Sequence, residues 1–308
     1  MEFEIPILFI MFKRPQIAAI AFEKIRKVKP ATLYLACDAA RPHVQGENEL
    51  VEETKKTIQS MIDWDCRVKT LFHETNQGCS TAVYKAIDWM FEQEKQGIII
   101  EDDCVLQLSF FRFAQEMLER YRDDFRIGNI DGANYLPGIK MNESYCFSKY
   151  KSTNGWATWK RAWKNMDLSM EWLDSPSAKS IINNMGYKSR DIKYWKYRLK
   201  LIAKNRVSAW DWQWYFSLAS QNQLSIFPKV NLVTNIGFGE GATHTTNQNQ
   251  PKEYVASEEM TFPLVHPTYV LPHDEFDKSF YRANNSLYYT LMRYVPYSIK
   301  NLVKKLIR

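Results

Sequence analysis

Cysteine is scarce in this 308-residue chain: Cys37, Cys66, Cys79, Cys104 and Cys146 are odd in number, widely spaced and in no CxxC pair. That pattern excludes a disulfide framework and a zinc site built on paired thiols, and it suits a reducing compartment. Histidine is also sparse, and His43, His73, His266 and His273 show no metal-ligand spacing. Long apolar runs are missing too. The N-terminal run from Ile5 to Phe12 lacks a basic leader and is too short to span a bilayer, so neither a signal peptide nor a transmembrane helix is expected, and a cytoplasmic protein is.

What is present is apolar and aromatic: 45% hydrophobic residues, with ten Trp and seventeen Tyr, enough for a sizeable core and suggestive of ring surfaces that stack on sugars or bases. The net charge of +6 is uneven. Residues 188–206 carry eight basic side chains and one acid, and residues 287–308 carry five basic side chains and no acid. The remainder is acidic, so a nucleic-acid-binding surface is not the reading.

The first hundred residues alternate between apolar runs and amphipathic stretches. "IPILFIMF", "ATLYLACD", "CRVKTLFH" and "GIIIEDD" read as strands, separated by the helical "QIAAIAFEKIRKV", "ENELVEETKKTIQSMI" and "CSTAVYKAIDWMFEQE". The pattern predicts an α/β protein with a mostly parallel, Rossmann-like sheet flanked by helices. Ligands of such sheets gather at the carboxyl ends of the strands. Lys13 and Arg14 follow the first strand, Asp38 the second, Asn76 and Gly78 the third, and Glu101, Asp102 and Asp103 the fourth. Beyond residue 110 the regularity fades: "FFRFAQEMLERYRDDF" reads as a helix, "GNIDGANYLPG" as loop, "GWATWKRAW" as a turn becoming a helix, and "SAWDWQWYFSLASQNQ" as a helix. "LSIFPKVNLVTNIGFG" reads as a strand with a Gly-rich exit.

Carboxylates crowded at a strand end do not all ionise cheaply unless a cation shares their charge, and oxygen-only ligands select Mg²⁺ or Mn²⁺ beside a diphosphate. The alternative is an ordinary polar strand end that caps the helix starting near Ser109. Asp211 lies between Trp210 and Trp212, where desolvation would tune it as a general base; the plainer reading is a helix N-cap beside core tryptophans. Asn76 and Gly78, before the helix that carries Lys85, fit either a ligand-facing loop or a plain turn.

The stretch "IIIEDDCVLQLSFFRF" resembles the EDD form of the DxD motif in nucleotide-sugar glycosyltransferases of the GT-A fold, especially the N-acetylglucosaminyltransferase I group. "GWATWKRAW", "AWDWQW" and "FPKVNLVTNIGFGEGATHT" follow in that group's order, and together they cover most of residues 5–250. The resemblance implies an inverting transfer from a nucleoside diphosphate sugar, UDP favoured, to a hydroxyl of a surface glycan that is free or lipid-linked. It implies Asp103 on Mn²⁺ or Mg²⁺, Glu101 and Asp102 against the ribose and sugar, Asp38 at the base and Arg14 beside it. Lys13, Asn76, Gly78, Lys85 and Trp156 join the donor site, His244 lies on a segment closing over it, and Asp211 is the general base. The tryptophan spacing around Asp211 departs from the group's, and residues 188–206 have no counterpart there.

Residues 1–250 are thus expected to form the transferase domain, with 1–110 as its nucleotide-binding half and 111–250 as its acceptor half. Residues 251–285 read as an extended wrap-around segment and 286–308 as a basic amphipathic helix. That helix suits either an anionic membrane, making the protein peripheral, or its own domain. Two rivals stand beside the transferase. A sugar-nucleotide nucleotidyltransferase ought to carry a Gly-rich phosphate loop after its first strand, where "MFKRPQ" has no glycine. A non-catalytic carbohydrate-binding protein would use the aromatics and need no metal.

Overall fold

The computed structural model describes residues 3–136, 138–204, 209–237, 256–285 and 295. His244 and the helix expected at 286–308 lie outside them. Four strands, β1 (Ile7–Met11), β2 (Thr32–Cys37), β3 (Arg67–Phe72) and β4 (Gln96–Glu101), alternate with α1 (Pro15–Val28), α2 (Glu47–Ser60) and α3 (Cys79–Gln93). After β4 come β5 (Cys104–Leu106), α4 (Leu108–Arg120), β6 (Ile127–Asp131), β7 (Tyr145–Ser148), β8 (Trp156–Trp159) and α5 (Lys160–Trp163). The chain ends its described part with α6 (Ala178–Asn184), α7 (Ser189–Ala203), α8 (Asp211–Ser220), β9 (Leu224–Pro228), β10 (Val233–Asn235) and α9 (Asp274–Asn284).

The main sheet has eight strands in the order β3-β2-β1-β4-β8-β6-β9-β7, and only β8 and β7 run against the rest. The chain moves outward from β1 to β3 and then returns to place β4 on the other side of β1, which opens a crevice at their carboxyl ends. Strand β2 is buried along its whole length, as a strand covered on both faces must be. The pleat divides the core. Ile7, Phe9, Ile98 and Ile100 meet Phe22 and Ile25 of α1 and the phenylalanines of α4, whereas Leu8 and Ile99 meet Val83 and Ala86 of α3 and a tryptophan cluster.

Three sequence readings are corrected. "GNIDGANYLPG" is not all loop: its first residues belong to β6, fully buried despite Asn129 and Asp131. Ladder pairing to β8 and β9 satisfies that backbone, and Trp214 Nε1 donates to Asn129 Oδ1 at 3.0 Å. "GWATWKRAW" forms a strand before a single helical turn, because Trp156 to Trp159 pair with β4 and the first two of them also with β6. The extended course expected for 251–285 ends at His273, whose Nδ1 accepts the Phe276 N–H at 3.2 Å and starts α9.

Distant segments hold the late elements in place. The Glu259 carboxylate accepts the N–H groups of Leu108 (3.1 Å) and Ser109 (2.8 Å), capping α4 from across the chain. Asp191, fully buried on the inner face of α7, accepts the Tyr150 hydroxyl, the Tyr187 N–H at 3.2 Å and the Asn285 amide at 2.9 Å. Among the described residues no helix is long and apolar enough to cross a membrane. Asp191→Ala removes the acceptor of the Tyr150 hydroxyl and the Tyr187 N–H and is expected to cost about 3 kcal/mol, read as a lower urea midpoint at unchanged slope.

Candidate functional site

A cleft of about 450 Å³ opens at the carboxyl ends of β1, β2 and β4, lined by Lys13, Arg14, Asp38, Arg41, Asn76 and Gly78 among others, with Glu101 and Asp102 at its wall. The same pleat that divides the core divides the acidic triplet. Glu101 follows Ile99 to the α3 face, where burial, then the Asp103, Asp102 and Asp211 charges, push its carboxyl well up. Asp102 turns to the α1 face. There Arg14 Nη2 donates to Asp102 Oδ1 and, at 3.1 Å, to Asp103 Oδ2, while the Phe12 N–H meets Asp102 Oδ2 at 3.3 Å.

Arg14 is therefore the cation that shares charge with two of the three carboxylates. Proline at the first position of α1 fixes where Arg14 leaves the strand, immediately before the helix. Asp103 sits in the turn from β4 to β5, its Oδ1 accepting the Asn235 amide at 3.3 Å. Gly237 packs directly on it: a Cβ built there would fall 2.0 Å from Asp103 Oδ2, so a side chain at 237 would displace the carboxylate.

The Asp38 carboxylate is engaged by the loop before α3. It accepts the N–H groups of Gln77 and Gly78, each at 2.9 Å, and the Asn76 amide at 3.0 Å, so these residues come together as one rim. Gly78 has a φ of +79°, which favours glycine at the turn into α3. Lys85 is exposed and donates to Gln77 Oε1 at 2.7 Å, outside the cleft wall. Lys13 donates at 2.7 Å to Glu47, which also takes a bidentate grip from Arg41. The Arg41 guanidinium, then Lys13, hold Glu47 down at about 2 against the burial that lifts it. Sequence reading missed Arg41 and Glu47, since a glutamate opening a surface helix carries no mark of being 1% exposed.

Asp211 opens α8 and lines a second cavity of about 130 Å³ with Tyr150, Lys151, Tyr194, Trp195 and Trp212. Its charge acts on Glu101 and on Cys79, and Ser80 Oγ donates to the Ala209 carbonyl at 2.9 Å, which ties the segment before Asp211 to the start of α3. Trp156 does not reach the cleft. It is 0% exposed, packed against Trp163, Trp210 and Trp214 beneath Asp211. Two further residues belong here. Asp131 ends β6 at the same sheet edge, its Oδ1 accepting the Ser152 N–H at 2.6 Å and its Oδ2 buried without a partner, and burial pushes its carboxyl well up. Burial pushes the Lys151 ammonium down, opposed by Asp211 and Asp131.

No family model matches the chain, and no curated protein matches its sequence. Solved structures match in part. Mouse xyloside xylosyltransferase 1, apo form, aligns with a TM-score of 0.39 at 9% identity over 71% of this chain and 83% of its own. A mannosyltransferase from Pyrobaculum calidifontis, solved with GDP-Man and Mn²⁺, gives 0.35 at 10% identity over 71% and 70%. A cytidylyltransferase from Leptospira borgpetersenii gives 0.33 at 10% identity over 57% and 73%. The class that fold and site define is an α/β protein with a cleft of mixed charge at the topological switch of its mostly parallel sheet.

Burial lifts Asp102 to about 6, with Arg14 opposing the lift. Between the ordinary aspartate value and 6 the folded chain keeps a proton that the unfolded chain releases. The cost of this carboxyl is therefore full above pH 6 and fades as pH falls. Arg14→Met removes the opposing charge, so its stability deficit should be about 3 kcal/mol near neutral pH and shrink towards pH 5, measured by urea unfolding at both.

Proposed function

We propose that this protein is an inverting, metal-dependent glycosyltransferase that moves a sugar from a nucleoside diphosphate sugar, UDP favoured, to a hydroxyl of a surface-glycan acceptor. The observation that carries the reading is the division of acidic groups between the cleft and the cavity that holds Asp211. Asp102 and Asp103 face Arg14 on one side, and Asp211 stands across Glu101 on the other. An inverting displacement needs a base opposite the leaving group and positive charge beside it.

In this reading the base and ribose lie in the rim built by Asp38, Asn76 and Gly78, and Lys13, Arg14 and Arg41 attract the diphosphate. Asp103 would hold Mn²⁺ or Mg²⁺, with Glu101 and Asp102 against the ribose and sugar. The donor set is oxygen only, and among the described residues no three or more ligating side chains converge, so the ion would complete its shell with water and diphosphate oxygens. When bound, it supplies charge neutralisation at the departing diphosphate. Asp211 takes the acceptor's proton, in a cavity walled mainly by aromatic side chains. A hexosyl or N-acetylhexosaminyl donor, a lipid-linked acceptor in polysaccharide biosynthesis and peripheral attachment to the inner face of a membrane complete the proposal.

Calorimetry against UDP, GDP, CMP and dTDP, with Mn²⁺ and then with EDTA, tests the donor half. One diphosphate should bind, and both EDTA and Asp103→Ala should abolish the heat. Silence across the panel would remove the transferase reading in favour of a carbohydrate-binding one. Asp211→Asn should leave that binding intact while release of nucleoside diphosphate from the matching sugar nucleotide falls roughly 100- to 10,000-fold.

A further inference from the structure

Helix α7 is two-sided in an unusual way. Its inner stripe, Asp191, Trp195 and Leu199, is buried against the body. Its outer stripe carries Arg190, Lys193, Lys196, Lys200 and Lys204, all exposed and spaced by three or four residues, so that they share one face about 120° wide. Among the described residues none of the five has an ion pair, although the chain makes such pairs on several other helices. Like charges at these spacings repel and weaken a helix, so the stripe costs stability in isolation and gains only when something anionic lies on it.

We infer that the outer face of α7 docks on the surface of an anionic lipid bilayer. The occupant follows from shape and charge together. The cations form one straight stripe roughly 20 Å long, which a plane of anionic headgroups meets along its length. The remainder of the chain, apart from 287–308, is net acidic, so a polyanion that wraps the protein would be repelled elsewhere. Half-buried Tyr197 lies within the stripe, an amphipathic ring of the kind that settles at a headgroup boundary.

The same helix supplies Tyr194 and Trp195 to the cavity that holds Asp211. Trp195 belongs to the buried stripe, so docking through the outer face leaves about one helix diameter, roughly 10 Å, between the headgroups and that cavity.

Sedimentation of the full chain with phosphatidylcholine vesicles, with and without phosphatidylglycerol, tests the docking. Wild type should bind only when phosphatidylglycerol is present and let go as salt rises. The K193Q/K196Q/K200Q variant should bind on the order of a hundredfold more weakly, and Lys196→Gln alone, a milder change if the triple variant unfolds, about fivefold more weakly. Indifference of wild type to phosphatidylglycerol overturns the proposal. So does undiminished binding by the variants, which would move the contact elsewhere, or a preference for soluble heparin over vesicles. Nucleotide calorimetry on the same variants should be unchanged, so loss of vesicle binding and failure of the transferase reading give separate signals.

Discussion

Three carboxylates end a strand that is covered on both faces, and the arrangement holds because the pleat and one guanidinium keep them apart. Glu101 goes to the α3 face and Asp102 to the α1 face, where Arg14 reaches both Asp102 and Asp103. Everything else at the cleft is arranged around that division. Pro15 sets where Arg14 stands, the carboxyl-end loops set the rim, and Gly237 yields the space that the Asp103 side chain occupies. A buried charge with its partner removed is costly, so Arg14 is as much a part of the fold as of the site.

The four parallel strands and their helices were legible because their periodicities are strong: β1, β2 and β4 are near-continuous apolar runs, and α1 repeats buried positions at Ala18, Ala21, Phe22 and Ile25. The acidic triplet and Asp211 were legible as residue types in a telling place. Strand β6 was not, because Gly128, Asn129 and Asp131 mimic a turn and only pairing with two neighbours makes them a strand. Asp131 and Lys151 were invisible for a related reason. Their meaning lies in burial and in a meeting across twenty residues, neither of which leaves a local pattern.

The tryptophans illustrate how composition misleads. Rings that would suit an exposed sugar platform are largely interior: Trp156, Trp163, Trp210 and Trp214 form one wall, and the last donates its N–H to Asn129. The indole nitrogens of Trp156, Trp163, Trp172 and Trp195 are buried without partners. Such packing trades hydrogen bonds for area and gives the first turn of α8 a stiff bed, which is what a residue at Asp211 needs to keep its direction.

The cap that Glu259 places on α4 has a temporal side. The helix that follows the acidic turn begins about 150 positions before the residue that satisfies its first N–H groups. Asn285 likewise completes the Asp191 contacts from 94 residues away. During synthesis α4 and α7 emerge long before these partners exist, so their contacts close only after residues 259 and 285 have been made. Closure of contacts so far apart makes assembly slow.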